Sequence, residues 1–161
     1  MTTKLLLLFL FMGMGTFCGY AVMLSMRRRY TYLNGVCKII GDIKRNVAYR
    51  KDSLSGMLAG VDCESAQLKK NVEEFIQYVD GKADKPQFSR GFLPKDIYDK
   101  AVDLFTSIGK SDGPTQIEQL TVFEKDFSKL CAESKKKYTD LGGVAVKLGF
   151  LLGLGVGILI L

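Results

Sequence analysis

The residues able to do chemistry in this chain are few. Histidine is absent from the 161 residues, which removes the side chain that most often serves as general base near neutral pH and as metal ligand. Ser-His-Asp and Cys-His arrangements and His-containing zinc sites are thereby excluded. The cysteines Cys18, Cys37, Cys63 and Cys131 are too scattered to form a CxxC. Cys18 lies within an apolar run, so the set reads as reduced, mostly packing thiols rather than a disulfide framework. Adjacent carboxylates such as Glu73-Glu74 point about 100° apart on a helix and do not converge. No GxxxxGK[ST], no GxGxxG behind a strand and no metal-ligand cluster occurs. Ser-Lys or Cys nucleophiles are compatible with the composition, but nothing places them together. No enzyme activity, cofactor or metal is expected.

Charge is confined to the middle of the chain. All 17 acidic residues fall between Asp42 and Asp140, whereas residues 5–26 (LLLLFLFMGMGTFCGYAVMLSM) and 148–161 (LGFLLGLGVGILIL) carry no charge. A helix over 5–26 is about 33 Å long, enough to cross a hydrocarbon core of about 30 Å. A cleaved signal peptide would have a shorter apolar core and a small-x-small site. Here Phe17 precedes Cys18, which also disfavours lipid modification, and Arg27-Arg28-Arg29 follow at once. An uncleaved anchor is expected. Residues 148–161 alone are too short to span, but a start at Gly142 gives 20 residues and about 30 Å. Lys147 then snorkels to the headgroups. A buried core helix is the competing reading, which the many glycines disfavour in water. The basic flanks Arg27-Arg28-Arg29 and Lys135-Lys136-Lys137 independently place the intervening segment in the cytoplasm. The expected plan is a short segment 1–4, a transmembrane helix 5–26, a cytoplasmic helical bundle 27–140 and a transmembrane helix 141–161.

Glycines recur every fourth residue at Gly149, Gly153 and Gly157, and again at Gly15 and Gly19. Small-xxx-small faces let helix backbones approach closely in lipid, so these are candidate packing residues. The spacing does not say whether each span packs on the other or on a neighbouring protein.

Between the spans, apolar spacing is helical throughout. Leu33, Val36, Cys37, Ile40, Ile43 and Val47 mark one helix; Leu54, Met57, Leu58 and Val61 a short second; and Leu68, Val72, Phe75, Ile76 and Val79 a third. Turn-forming residues from Asp80-Gly81 to Pro86 break the pattern. A fourth helix after Pro94 carries Ile97, Ala101, Leu104, Phe105 and Ile108, and Gly109 stands where a C-cap glycine belongs. Ser111 and Asp112 offer cap chemistry for a fifth helix bearing Ile117, Leu120, Phe123, Phe127 and Leu130. If Asp112 caps that helix, its replacement by Ala costs about 0.5–2 kcal/mol. The fold class expected is all-α, an antiparallel helical bundle flanked by two transmembrane helices.

The middle is electrically polarised: residues 27–51 hold eight bases against Asp42, and residues 52–134 hold ten bases against fifteen acids. Juxtamembrane bases face anionic lipid. Nucleic acid is not an expected partner, because stacking aromatics and a recognition motif are missing from the basic stretch. The acidic part is a solvated face or a docking surface.

Ile108-Gly109-Lys110-Ser111-Asp112, then Gln116, a long amphipathic helix, Tyr138 and the glycine-spaced apolar ending resemble the stage III sporulation protein AB family of endospore-forming bacteria. More distantly the chain resembles the cytoplasmic domain of inner-membrane F proteins of type II secretion and type IV pilus systems. The two-span plan with a basic exit and no tail fits. Where the family tends to show Glu-Ile-x-Tyr-x-x-Thr-Pro-Leu, this chain has Tyr49 and Leu54 in place but Asn46 and Asp52-Ser53 instead of the expected residues. The resemblance implies a structural platform in the mother-cell membrane around the forespore, within a channel-like complex required for endospore formation. Its partners would be a secretion-type ATPase (protein AA of the same operon), other membrane proteins of the stage III complex, and lipid. Gly109, Ser111, Asp112 and Gln116 would form a helix corner or touch a partner. The alternative is a vegetative secretion or pilus adaptor. Stable expression in vegetative cells favours that alternative, whereas expression only after asymmetric division favours sporulation.

Overall fold

The computed structural model describes residues 2–49, 54–61 and 63–160, with the side chains of 2–5, 48, 49, 54 and 57 left aside. Of the 46–54 stretch, residues 50–53 and the side chains of Tyr49 and Leu54 lie outside what is described. Among the described residues there are five helices and no strand: α1 (Thr2–Tyr49), α2 (Leu54–Ala59), α3 (Ala66–Val79), α4 (Lys95–Ser107) and α5 (Gly113–Ile160). α1 and α5 have 48 residues each, about 72 Å of helix. Both run unbroken through the apolar-to-charged changeovers at 26/27 and 140/141. Such a changeover alters which solvent the side chains prefer but leaves the backbone ladder intact, and no proline lies near either changeover; the proline of α5, Pro114, sits in its first turn, where it is tolerated.

Contacts divide the chain into two compact units, Thr31–Cys131 and Met1–Tyr30 with Ala132–Leu161. In the first, one side of α1 buries Tyr32, Leu33, Val36, Ile39, Ile40 and Ile43 against Leu68, Val72 and Phe75 of α3, Ile97, Leu104 and Phe105 of α4, and Leu120 and Phe127 of α5. α1 and α5 are antiparallel here: Lys44 Nζ donates to Glu124 Oε2 at 2.5 Å, and Cys131 of α5 lies close enough to Cys37 of α1 to influence its thiol. Three aromatic rings meet at the centre of α3 and α4, with Phe105 at 5.4 Å from both Phe75 and Phe88. Val79, expected on the buried face of α3, is 40% exposed because the helix ends there.

Local signals set the boundaries. The Ser65 hydroxyl accepts from Leu68 N–H at 3.4 Å and caps α3. Gly81, φ 72°, turns the chain out after Asp80, a conformation that favours glycine. The Pro94 carbonyl accepts Tyr98 N–H at 3.0 Å to open α4. The 80–94 connection is tied down by amides on α3: buried Asn71 accepts from Ser89 N–H at 2.9 Å and donates to the Tyr32 hydroxyl at 3.4 Å. Gln67 donates to the carbonyls of Ser89 and Arg90 at 3.0 and 2.7 Å.

In the second unit, α1 and α5 pair antiparallel over their apolar lengths. Both helices are long and apolar enough to cross a membrane, and only 6% and 11% of their most apolar windows are buried. Phe9, Phe17, Leu152 and Leu159 are among the large side chains left exposed. A core helix of a water-soluble protein would bury such residues.

Candidate functional site

Glycines build the contact between the apolar helices. A Cβ on Gly15 would strike the Gly149 carbonyl and lie 2.9 Å from the Gly153 Cα. One on Gly19 would strike the Ala145 carbonyl and lie 2.9 Å from the Val146 Cα. On the facing helix, Gly149 meets the Gly15 carbonyl and Gly153 the Phe11 carbonyl. These are backbone-on-backbone approaches that no other residue permits, the geometry by which helices gain van der Waals contact in lipid. Gly157 differs: its neighbour is the Leu8 side chain, with Cδ1 2.8 Å from a notional Cβ. Gly13, Gly143 and Gly155 have nothing within 4 Å. Thr16, in the same stretch, satisfies its hydroxyl on the Met12 carbonyl at 2.8 Å, which leaves no unpaired hydroxyl on an otherwise apolar surface.

In the helical domain the four corner residues divide their work. Gly109 has φ 83° just beyond the end of α4, and its N–H donates to Gln116 Oε1 at 3.0 Å. Gln116 is 5% exposed, and its own N–H returns to the Asp112 carbonyl at 2.8 Å. Ser111 Oγ donates to Gln119 Oε1 at 3.3 Å. The Asp112 carboxylate is exposed and makes no hydrogen bond among the described residues. Asp112 thus enters the α5 terminus through its main chain, and the side chain that closes the corner is Gln116. Gln116→Ala is expected to destabilise the domain by about 0.5–1.5 kcal/mol, because the part-buried bond from the Gly109 N–H is lost. Asp112→Ala should cost under about 0.5 kcal/mol, the level of surface positions. Urea unfolding of both variants compares them directly.

No family model, curated protein or solved structure matches the chain.

Two surface features adjoin these elements. An open groove walled by Phe75, Tyr78, Val79, Phe105 and Ile108 ends at Gly109, and Tyr78 is 40% exposed at its rim. On α4, Asp96, Asp99 and Asp103 recur at i, i+3 and i+7, all exposed, so they share one face. Lys100, on the adjoining side, is taken up by Asp126 of α5 at 3.2 Å. Among the described residues no group of three or more Cys, Asp or Glu side chains is placed to hold a metal.

The four cysteines are all thiols. Burial, reinforced by Cys131, pushes the Cys37 thiol up to about 11. Below the unfolded thiol's value, near 9, both states are protonated and the domain keeps its full stability. Above it the unfolded chain ionises first, so stability falls as pH rises from about 9 through about 11. Cys37→Ala should flatten that part of a stability–pH curve measured by denaturant unfolding.

Sequence reasoning marked Gly109, Gln116, Gly149 and Gly153 but missed the two amides of α3. Asn71 and Gln67 look like ordinary polar positions on a helix. The one available signal was that Asn71 falls within the apolar spacing between Leu68, Val72 and Phe75.

Proposed function

We propose that the protein is a two-span membrane component that holds a helical docking domain in the cytoplasm and acts by assembly rather than by chemistry of its own. The observation that carries this reading is the pair of exposed, apolar helices joined backbone to backbone through Gly15, Gly19, Gly149 and Gly153. A hairpin so closely packed, with greasy outer faces, suits a lipid setting. The basic flanks 27–29 and 135–137 favour a cytoplasmic domain.

The specific role we propose is a platform in the mother-cell membrane of a sporulating cell, docking a secretion-type ATPase within a channel-like complex. What supports it is the resemblance carried by Gly109, Ser111, Asp112, Gln116 and the glycine-spaced ending. The Asp96, Asp99 and Asp103 face of α4 is the charged surface such a partner would meet. The full chain in detergent should bind the sporulation ATPase from the same organism saturably, less tightly at high salt, and at least about tenfold less tightly with all three aspartates replaced by Lys, as for charge pairs at an interface. A folded full-length chain that shows no binding contradicts ATPase docking and redirects the search to partners within the membrane.

A further inference from the structure

The contact register of the paired apolar helices brings two separate runs of bases together. Gly19 lies against Ala145, Gly142 against Met23, and Tyr30 stacks on Tyr138 with ring planes 6° apart and centroids at 6.4 Å. Along an antiparallel pair in that register, Arg27, Arg28 and Arg29 fall within about two turns, roughly 10 Å, of Lys135, Lys136 and Lys137. In sequence the two runs are a hundred residues apart; in the hairpin they form one collar around the tyrosine stack.

The collar is short of anions. Its acidic neighbours are Glu133 and Asp140 on α5, each four residues from a lysine (Lys137 and Lys136), yet none of the ion pairs among the described residues involves them. Arg28 and the three lysines are exposed. Arg29 is half-buried, and its Nε is enclosed with no hydrogen-bond partner, a costly state for a charged donor. An acceptor from outside the chain would satisfy it. The collar also lies at a defined depth, where the charge-free 5–26 stretch ends about 33 Å along α1. That is one hydrocarbon thickness, so the bases and the tyrosines meet the headgroup layer. Negatively charged phosphodiesters are the groups found there, and guanidinium matches them geometrically.

We propose that Arg28, Arg29, Lys135, Lys136 and Lys137, gathered around the Tyr30–Tyr138 stack, form a binding site for anionic phospholipid headgroups and give the protein an acidic lipid shell. This rests on the membrane-spanning reading above and adds a ligand class to it.

The test uses the full-length chain in phosphatidylcholine bilayers carrying trace spin-labelled phosphatidylglycerol or phosphatidylcholine. Electron paramagnetic resonance then reads the motionally restricted fraction of each label. The site predicts a preference for phosphatidylglycerol of about threefold or more at low salt, as expected for several bases near the surface. Replacing all five bases by Gln should bring the preference close to one without changing the phosphatidylcholine signal. Replacing five exposed lysines of the helical domain (Lys69, Lys70, Lys85, Lys95 and Lys110) should leave it in place, as should excess soluble glycerol phosphate. Equal restriction of the two labels around a chain that resists alkaline carbonate extraction overturns the lipid site and spares the spanning reading. Equal loss in the domain-lysine control, or displacement by glycerol phosphate, overturns it as well. Release of the chain by carbonate overturns the spanning reading itself.

Discussion

Phe105→Ala is expected to be the most damaging single substitution in the helical domain, costing about 3–5 kcal/mol, the range for emptying a buried aromatic site. Phe105 is fully buried and lies 5.4 Å from both Phe75 and Phe88. Its removal therefore opens a hole where α3, α4 and the 80–94 connection meet. Collapse is obstructed because Asn71 and Gln67 hold that connection by hydrogen bonds, so most of the void should persist. Phe105→Leu should recover more than half of the loss. Urea unfolding followed by helical circular dichroism checks both, and a loss below about 1 kcal/mol for the alanine variant contradicts the packing described.

Gly149→Leu should have a comparable effect on the apolar hairpin, about 3 kcal/mol, the upper part of the usual cost of overpacking. Its Cβ would collide with the Gly15 carbonyl and approach the Gly19 backbone. Backbone cannot rotate out of the way as a side chain can, so the helices must separate. Gly157→Leu should cost distinctly less, because the atom in the way is the end of Leu8. Gly155→Leu, with open space around it, should be neutral or slightly stabilising through better helix propensity. Thermal unfolding of the three variants in one detergent gives the order directly. Equal losses at Gly149 and Gly155 would show that glycine content, not contact, matters in this stretch.

That order also separates what the sequence could tell from what it could not. A four-residue spacing made Gly149, Gly153 and Gly157 look equivalent. The spacing fixes which residues share a face but not what the face meets, and the partners turned out to be two backbones and one leucine side chain. Gly15 and Gly19 carry the same spacing with no hint of the register that pairs them with Gly149 and Ala145. Helical periodicity did place the core of α1, α3, α4 and α5, because burying a helix on one side imposes a period of 3.6 that water enforces. Gly109 was legible for an equally local reason, the positive φ that follows the end of α4.

Corner chemistry was legible only in outline. Asp112 has the residue type of an N-cap, yet the bond that closes the turn comes from Gln116, seven residues after the N–H it accepts from. A side chain reaching back that far depends on how α4 and α5 are set, which is not local information. The bonds of Asn71 and Gln67 were not legible for the same reason: their partners are 18 to 39 residues away.

The central claim is that a helical cytoplasmic domain is carried on a membrane-crossing hairpin, and cysteine accessibility tests it most directly. In a chain with Cys18, Cys37, Cys63 and Cys131 replaced by Ala, Asp103→Cys places a single thiol on the exposed face of α4. A membrane-impermeant maleimide should label it only after the cells are opened, while the chain resists alkaline carbonate extraction. Labelling in intact cells, or release by carbonate, would contradict the account.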